Sequence, residues 1–280
     1  KREHDSGKQC SMWKRRMGGI LKKDIEDGFE LENSPLIRFT LAKVGDSNRV
    51  IWTMHHIICD GWSNSILFAD LRNIIRQLCE DANSTGALLN PVNKDILMEY
   101  ASELDNFDRN TARSFWKNLL DDYEGLTQLS VLKRKSDESG YKQKEIKTDA
   151  KFCDALRTFC NRERITPNDM FQMTLAVLLS RVTATKDVVF GHVISGRDYP
   201  IEGITYAVGP IINTVPVRYT FTENENIDAL VERVKNAAIE SKPYEYVGLS
   251  EIQNWLHMRD SFFTILYSFE NYHMDERLDD

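Results

Sequence analysis

Between Arg49 and Glu80 the chain runs from a β-rich stretch (RVIWTM, 49–54) through two adjacent histidines and an Asp-Gly pair into residues with helical apolar spacing. No other feature constrains the fold as tightly. A strand that ends in a polar turn and feeds an amphipathic helix is a building unit of α/β proteins. Ile66, Leu67, Leu71, Ile74, Ile75 and Leu78 supply the helical spacing, which predicts a helix from Trp62 to Glu80. Upstream, residues 36–44 (LIRFTLAKV) form a second β-rich run, and Gly45-Asp46-Ser47-Asn48 between the two runs predicts a hairpin turn.

The rest of the chain repeats the alternation. A loop-like stretch (DANSTGALLNP) leads to a weaker helical pattern that ends near Phe115, Trp116 and Leu120. Residues 133–149 are polar and charged, the composition of an exposed connector, and they divide the chain into an N-terminal lobe (1–132) and a C-terminal lobe (150–280). In the second lobe a helix is expected over 151–163. Thr166-Pro167-Asn168-Asp169 then reads as an N-cap with proline at the first helical position, opening the apolar, buried-looking helix MFQMTLAVLLSRV. VVFGHVI (188–194), VGPIINTVPVRYTF (208–221), a helix over 226–241 and the strand-like FFTILYSFENY (262–272) complete two α/β units.

Composition removes several classes of partner. With 43 acidic against 36 basic residues and a net charge of −7, the chain has no overall basic field to hold nucleic acid or an anionic membrane. Five cysteines (Cys10, Cys59, Cys79, Cys153, Cys160) show no CxxC spacing and suit a reducing, cytoplasmic setting. No apolar run approaches the roughly 18 residues of a spanning helix. The opening residues carry no signal-peptide pattern and read as the middle of a domain.

His55 and His56 follow a strand, where successive side chains alternate in direction, so one of the pair is expected to face a cleft. A cleft-facing imidazole titrates near neutral pH and can act as a general base, worth roughly 10²- to 10⁴-fold in rate. Half-buried histidines satisfied by backbone explain the pair equally well. Metal binding does not, since neighbours on opposite faces cannot chelate one ion and no Cys/His set stands nearby at zinc spacing. Asp60 needs an arginine or a backbone N–H to stay charged, and Gly61 permits a tight turn or close approach of another backbone.

His55-His56-Ile57-Ile58-Cys59-Asp60-Gly61-Trp62-Ser63 resembles the HHxxxDGxS signature of the condensation domains of nonribosomal peptide synthetases, whose HHxxxDG core is shared by the chloramphenicol acetyltransferase-like superfamily. Val208 through Arg218 (VGPIINTVPVR) is similar to the family's (V/I)GxxxNTxPxR segment, and Val189-Phe190-Gly191 through Ser195-Gly196-Arg197 to the strand and SGR turn before it. Weaker echoes are Phe29-Glu30-Leu31 with Pro35-Leu36-Ile37-Arg38, Ser241 through Tyr246, and Phe262 through Tyr272. The resemblance covers nearly the whole chain.

It implies two chloramphenicol acetyltransferase-like α/β lobes in a V-shaped arrangement with a tunnel between them. Donor and acceptor carrier protein domains would present substrates on 4'-phosphopantetheine arms, beside an adjacent adenylation domain, with no intrinsic cofactor or metal. His56 is implied as general base or orienting group, with Asp60 and Gly61 completing the catalytic turn. His55 would be structural, Arg218 the ion-pair partner of Asp60, and Asn213 an organiser of its strand. Arg197 reads as a surface turn residue, and Trp52, Trp62 and Trp116 as packing. His192, His257 and His273 have no partner motif, and Asn271 and Tyr272 read as core edge. The family's first two motifs are missing upstream of residue 30 and the chain stops soon after Tyr272, so truncation at both ends is expected. Gly61 favours condensation over the epimerization subclass, and the intact histidines exclude heterocyclization. Two rival readings share the motif or the fold: a stand-alone acyltransferase using coenzyme A thioesters, and a non-catalytic docking module.

Overall fold

The first two β-rich runs form an antiparallel ribbon. β1 (Ile37–Val44) pairs with β2 (Ser47–Met54) in a register running from Ile37 opposite Met54 to Val44 opposite Ser47. The computed structural model describes residues 17–44, 47–80, 95–123, 125, 127–129, 142–223, 225–258 and 261–270. Gly45 and Asp46 of the expected turn, and most of the expected connector, lie outside the described residues. Alternation places Ile37, Phe39 and Leu41 on one face with Met54, Trp52 and Val50. The helix α2 (Gly61–Glu80) reaches this face through Phe68, whose ring meets Trp52 edge-on at 5.2 Å. A preceding helix, α1, covers 17–27. Its Asp24 accepts Arg38 Nε at 2.6 Å and Thr53 Oγ1 at 2.6 Å, which fastens the helix to both strands. Those two donors hold the Asp24 carboxyl below the usual carboxylate range.

The chain divides into two compact units. The first takes in the elements above together with Tyr206–Ile211, and the second comprises Lys94–Thr205 and Ile212–His273. In the second, the weak helical pattern resolves into α3 (Ile96–Asp105) and α4 (Arg109–Leu120). The break falls at Asp108, whose side chain accepts the N–H groups of Asn110 at 3.0 Å and Thr111 at 3.2 Å and so caps α4. These helices belong with the second unit and not with residues 1–93, a different division from the boundary expected at 133–149. The reason is packing: Ala112, Trp116 and Leu120, spaced by four along α4, are buried with Val189, Val215 and Phe262.

The core of this unit is a three-stranded sheet in the order β4-β3-β5, with β3 (Asp187–Ile194) antiparallel to β4 (Asn213–Thr220) and parallel to β5 (Leu266–Ser268). Both faces of β3 are covered. Val189 points into the cluster of α4 and α8 (Leu249–Trp255), while Val188 and Phe190 join Cys160 of α5 (Ala150–Glu163), Met173 and Ala176 of α6 (Pro167–Thr183), and Leu230 and Val234 of α7 (Ile227–Ser241). Thr166 and Asp169 form the expected capping box at the start of α6. This helix buries only one side, through Gln172, Met173, Ala176 and Leu179, and Phe171, Leu178 and Val182 remain exposed. An apolar run at helical pitch cannot turn every residue toward one sheet. Both later β-rich runs are shorter than their sequences suggest. Val208–Ile212 stays outside β4, where Gly209 and Pro210 interrupt the strand pattern, and Asn271, Tyr272 and His273 lie outside the described residues.

Candidate active site

β2 ends at Met54, so the histidines stand one and two residues beyond the strand, in the turn that leads to α2. His55 still belongs to the ribbon by its backbone, donating its N–H to Leu36 O at 3.0 Å. Its Nδ1 accepts the N–H of Ile57 at 3.2 Å, and its ring stands edge-on to Phe29. A neutral His55 therefore carries its proton on Nε2. Ile58 N–H closes the turn on His55 O at 3.2 Å, which throws His56 outward. His55 is half-buried and His56 exposed. The two histidines differ in exposure, and they stand in a turn rather than in an alternating strand.

Asp60 lies at the other end of the turn and is 1% exposed. Its Oδ1 accepts both the N–H of Ser63 (2.9 Å) and the Ser63 hydroxyl (2.8 Å), the geometry of an N-cap at the start of α2. Its Oδ2 accepts the N–H of Ile211 at 3.0 Å. Ser63 is wholly buried and its Oγ accepts the N–H of Gly209 at 3.0 Å. Two backbone N–H groups and a hydroxyl thus meet the buried carboxyl group, which offsets the cost of burying it. Gly61 opens α2 in helical backbone. The left-handed glycines among the described residues are Gly28, Gly196 and Gly203, so the helix start makes no left-handed demand on residue 61.

Arg218, expected as the ion-pair partner of Asp60, is engaged within its own unit. Its Nε and Nη2 bond Asp187 side-on at 2.9 and 2.6 Å, and its Nη1 reaches Leu119 O at 2.8 Å and the Asp122 carboxylate. The guanidinium is committed by its place on β4, opposite Val189, where the start of β3 and the end of α4 converge on it. The two carboxylates raise its pKa further, against the opposing effect of burial. Asn213 sends both N–H bonds of its amide to Glu245 O (2.8 Å) and Val247 O (2.7 Å), while its Oδ1 accepts Thr214 N–H. It fastens the 245–247 turn within the second unit. Arg197, expected at the surface, is 3% exposed: the left-handed Gly196 turns the chain back, and Arg197 Nη1 bonds Ser195 O at 3.2 Å. His192 is enclosed in β3 beside Tyr267, and burial, aided by the positive charge of Lys242, pushes its pKa down to about 4.

The structure therefore gathers His55, His56, Asp60 and Gly61 of the predicted set around one turn and assigns Arg218 and Asn213 to separate tasks. Ser63, Gly209 and Ile211 were missed as site-forming residues. Their presence in the two motif segments was the available signal. The distance of 146 residues between Ser63 and Gly209 removes any local pattern that would pair them.

Comparison with known proteins adds the family. The chain matches the family model "Condensation domain" over residues 6–280. It is 32% identical to bacitracin synthase 3 of Bacillus licheniformis over 277 residues, covering 98% of this chain and 4% of that protein. It is 31% identical to bacitracin synthase 1 of the same organism, covering 92% of this chain and 5% of that protein. The first condensation domain of the calcium-dependent antibiotic synthetase, in complex with a substrate analogue, superposes with a TM-score of 0.66 at 17% identity, covering 86% of this chain and 55% of that one. The chain therefore spans a small part of these synthetases and about half of that solved chain, and it belongs to the condensation-domain family of nonribosomal peptide synthetases.

Proposed function

We propose that this chain contributes to amide-bond formation between two carrier-bound substrates. The amine of an aminoacyl group on an acceptor carrier protein attacks the carbonyl carbon of a donor acyl or peptidyl thioester. The C–N bond forms, the C–S bond breaks, and the proton lost by the amine ends on the departing thiolate of the donor phosphopantetheine arm. The observation that carries the reading is an intact HHxxxDG turn with its second histidine exposed, in a chain that belongs to the condensation-domain family.

His56 is the residue placed to meet substrate, accepting the amine proton or orienting the nitrogen lone pair. Asp60 fixes the turn from below and acts through His56. Gly61 keeps the first helical position free of a side chain beside the reacting groups. The carrier domains and an adenylation domain are the partners this chemistry requires. A soluble location agrees with the described helices, none of which is long and apolar enough to cross a membrane.

The test uses the full-length protein that contains this chain, with donor and acceptor carriers loaded with aminoacyl-phosphopantetheine and the product followed by intact-protein mass spectrometry. Wild type is expected to form dipeptidyl carrier, and His56→Ala to lower the rate at least tenfold, in line with the roughly 10²- to 10⁴-fold worth of a positioned base. Acylation from coenzyme A without a carrier points to a stand-alone acyltransferase. Carrier binding without amide from wild type leaves a docking module.

A further inference from the structure

Ser63 is the sole buried residue of α2 among those described, and it is polar. A serine that takes the best-shielded position of a 20-residue amphipathic helix is there for its bonds and not its volume. The hydroxyl has one hydrogen and two lone pairs. It accepts Gly209 N–H at 3.0 Å and can donate to the Asp60 carboxylate at 2.8 Å or to Gly209 O at 3.1 Å. The charged acceptor at the shorter distance is the stronger of the two.

Asp60 in turn receives Ile211 N–H through its other oxygen. Two side chains three residues apart thus grip the N–H groups of the buried Gly209 and Ile211, on either side of the exposed Pro210, in the same compact unit as the histidine loop. Among the described residues the loop is fixed in front by the backbone bond of His55 to Leu36, within by Ile58 N–H on His55 O and the buried Cys59, and behind by the Asp60 carboxylate. Whatever moves Asp60 therefore moves the base of the turn that displays His56.

We infer that Ser63 is a positioning residue, whose hydroxyl latches the Gly209–Ile211 turn to Asp60 and thereby holds the loop carrying His56. The catalytic side of this inference rests on the condensation reading; the latch itself does not. Loss of the hydroxyl separates the latch from the helix cap, because the N–H of Ser63 still reaches Asp60 in an alanine variant. α2 keeps its start while Gly209 loses its bond to the Ser63 hydroxyl.

The experiment compares wild type, Ser63→Ala and Ser63→Thr in the full-length protein by hydrogen exchange and by dipeptidyl-carrier formation. In Ser63→Ala, peptides covering 206–212 are expected to exchange at least tenfold faster, while those covering 167–194 are unchanged. Turnover is expected to fall about tenfold in kcat with KM within twofold, the signature of an interaction felt in the transition state. Ser63→Thr retains the hydroxyl and restores protection and most of kcat. Unchanged exchange at 206–212 in Ser63→Ala overturns the latch. Faster exchange with kcat unaltered overturns the positioning role, and so does a Ser63→Thr variant that folds and protects 206–212 yet turns over like Ser63→Ala. If Ser63→Ala does not fold, Ser63→Cys, whose thiol keeps the volume but bonds weakly, takes its place, and unchanged exchange at 206–212 in that variant overturns the latch. A wild type that forms no amide sinks the condensation reading, and exchange then decides the latch alone.

Discussion

The two compact units use their strands in opposite ways. In the second, β3 is covered on both faces, and Val188, Val189 and Phe190 in succession are fully buried between two helical layers. In the first, β1 and β2 present an apolar face that α2 covers in part, leaving Phe39, Leu41 and Val50 exposed. The histidine turn belongs to the more open unit. Its geometry is set by the backbone bond of His55 to Leu36 and by the polar grip of Asp60 and Ser63, with little help from a closed apolar core. A polar turn can thus be specified by a few directional bonds where a sheet interior is specified by volume. The two kinds of specification should fail differently when perturbed.

The largest loss is expected in the closed unit. Trp116 is fully buried in α4 and donates Nε1–H to Tyr244 O at 3.2 Å, so Trp116→Ala removes an aromatic side chain and orphans a carbonyl. A cost of about 3–5 kcal/mol is expected, read as a fall in the urea midpoint of the second unit and loss of exchange protection in β3. Next comes Gly191, where a Cβ would sit 2.4 Å from the Phe263 ring and 2.6 Å from Leu266. Gly191→Ala forces a buried ring to shift at about 1–3 kcal/mol, measured by the same midpoint. If either variant leaves the second unit unchanged while the first loosens, the contrast between the units is wrong.

These residues show what was legible in the sequence and what was not. A helix with a marked cap, such as α6, was readable because Thr166 and Asp169 mark its start locally. The strand pair β3 and β4 was readable from apolar runs. The lobe boundary was not, because the destination of α4 depends on Trp116 meeting Val215 some hundred residues later in the chain. The bonds that Arg218 makes inside its own unit were not legible for a related reason. An arginine at the right point of a motif was available, but Asp187 lies two strand positions beyond its neighbour Val189 across the sheet and claims it side-on. Sequence identifies a charge that needs a partner. Register decides which one it gets.

A third perturbation uses pH. His192 has a folded pKa of about 4, against about 6.5 in an unfolded chain, so the unfolded state binds more protons between those values. Its stabilising contribution is complete above about pH 6.5 and is lost as pH falls toward 4. The second unit should weaken by roughly 2 kcal/mol over that window, after discounting for the ring's partial exposure. His192→Gln should flatten the slope. The check is the urea midpoint at pH 7 and pH 4.5 for both proteins, and an equal slope in the variant assigns the acid sensitivity to other groups.

The smallest effect is expected where an apolar side chain is most open. Leu41 lies on the apolar face of β1 but is 72% exposed, so Leu41→Ser removes little buried area and should cost within about 0.5 kcal/mol. Phe39, one step along the same face, already touches Trp52 at 5.2 Å, and Phe39→Ser should cost more than Leu41→Ser by the value of that aromatic pair, about 0.5–1.5 kcal/mol. The comparison is made by hydrogen exchange of peptides covering 37–54, since a global melt is dominated by the second unit. If Leu41→Ser loosens these peptides as strongly as Phe39→Ser, the outer end of the ribbon is as well packed as its inner end. The openness ascribed to the first unit would then end short of β1, and the histidine turn would rest on a closed layer after all.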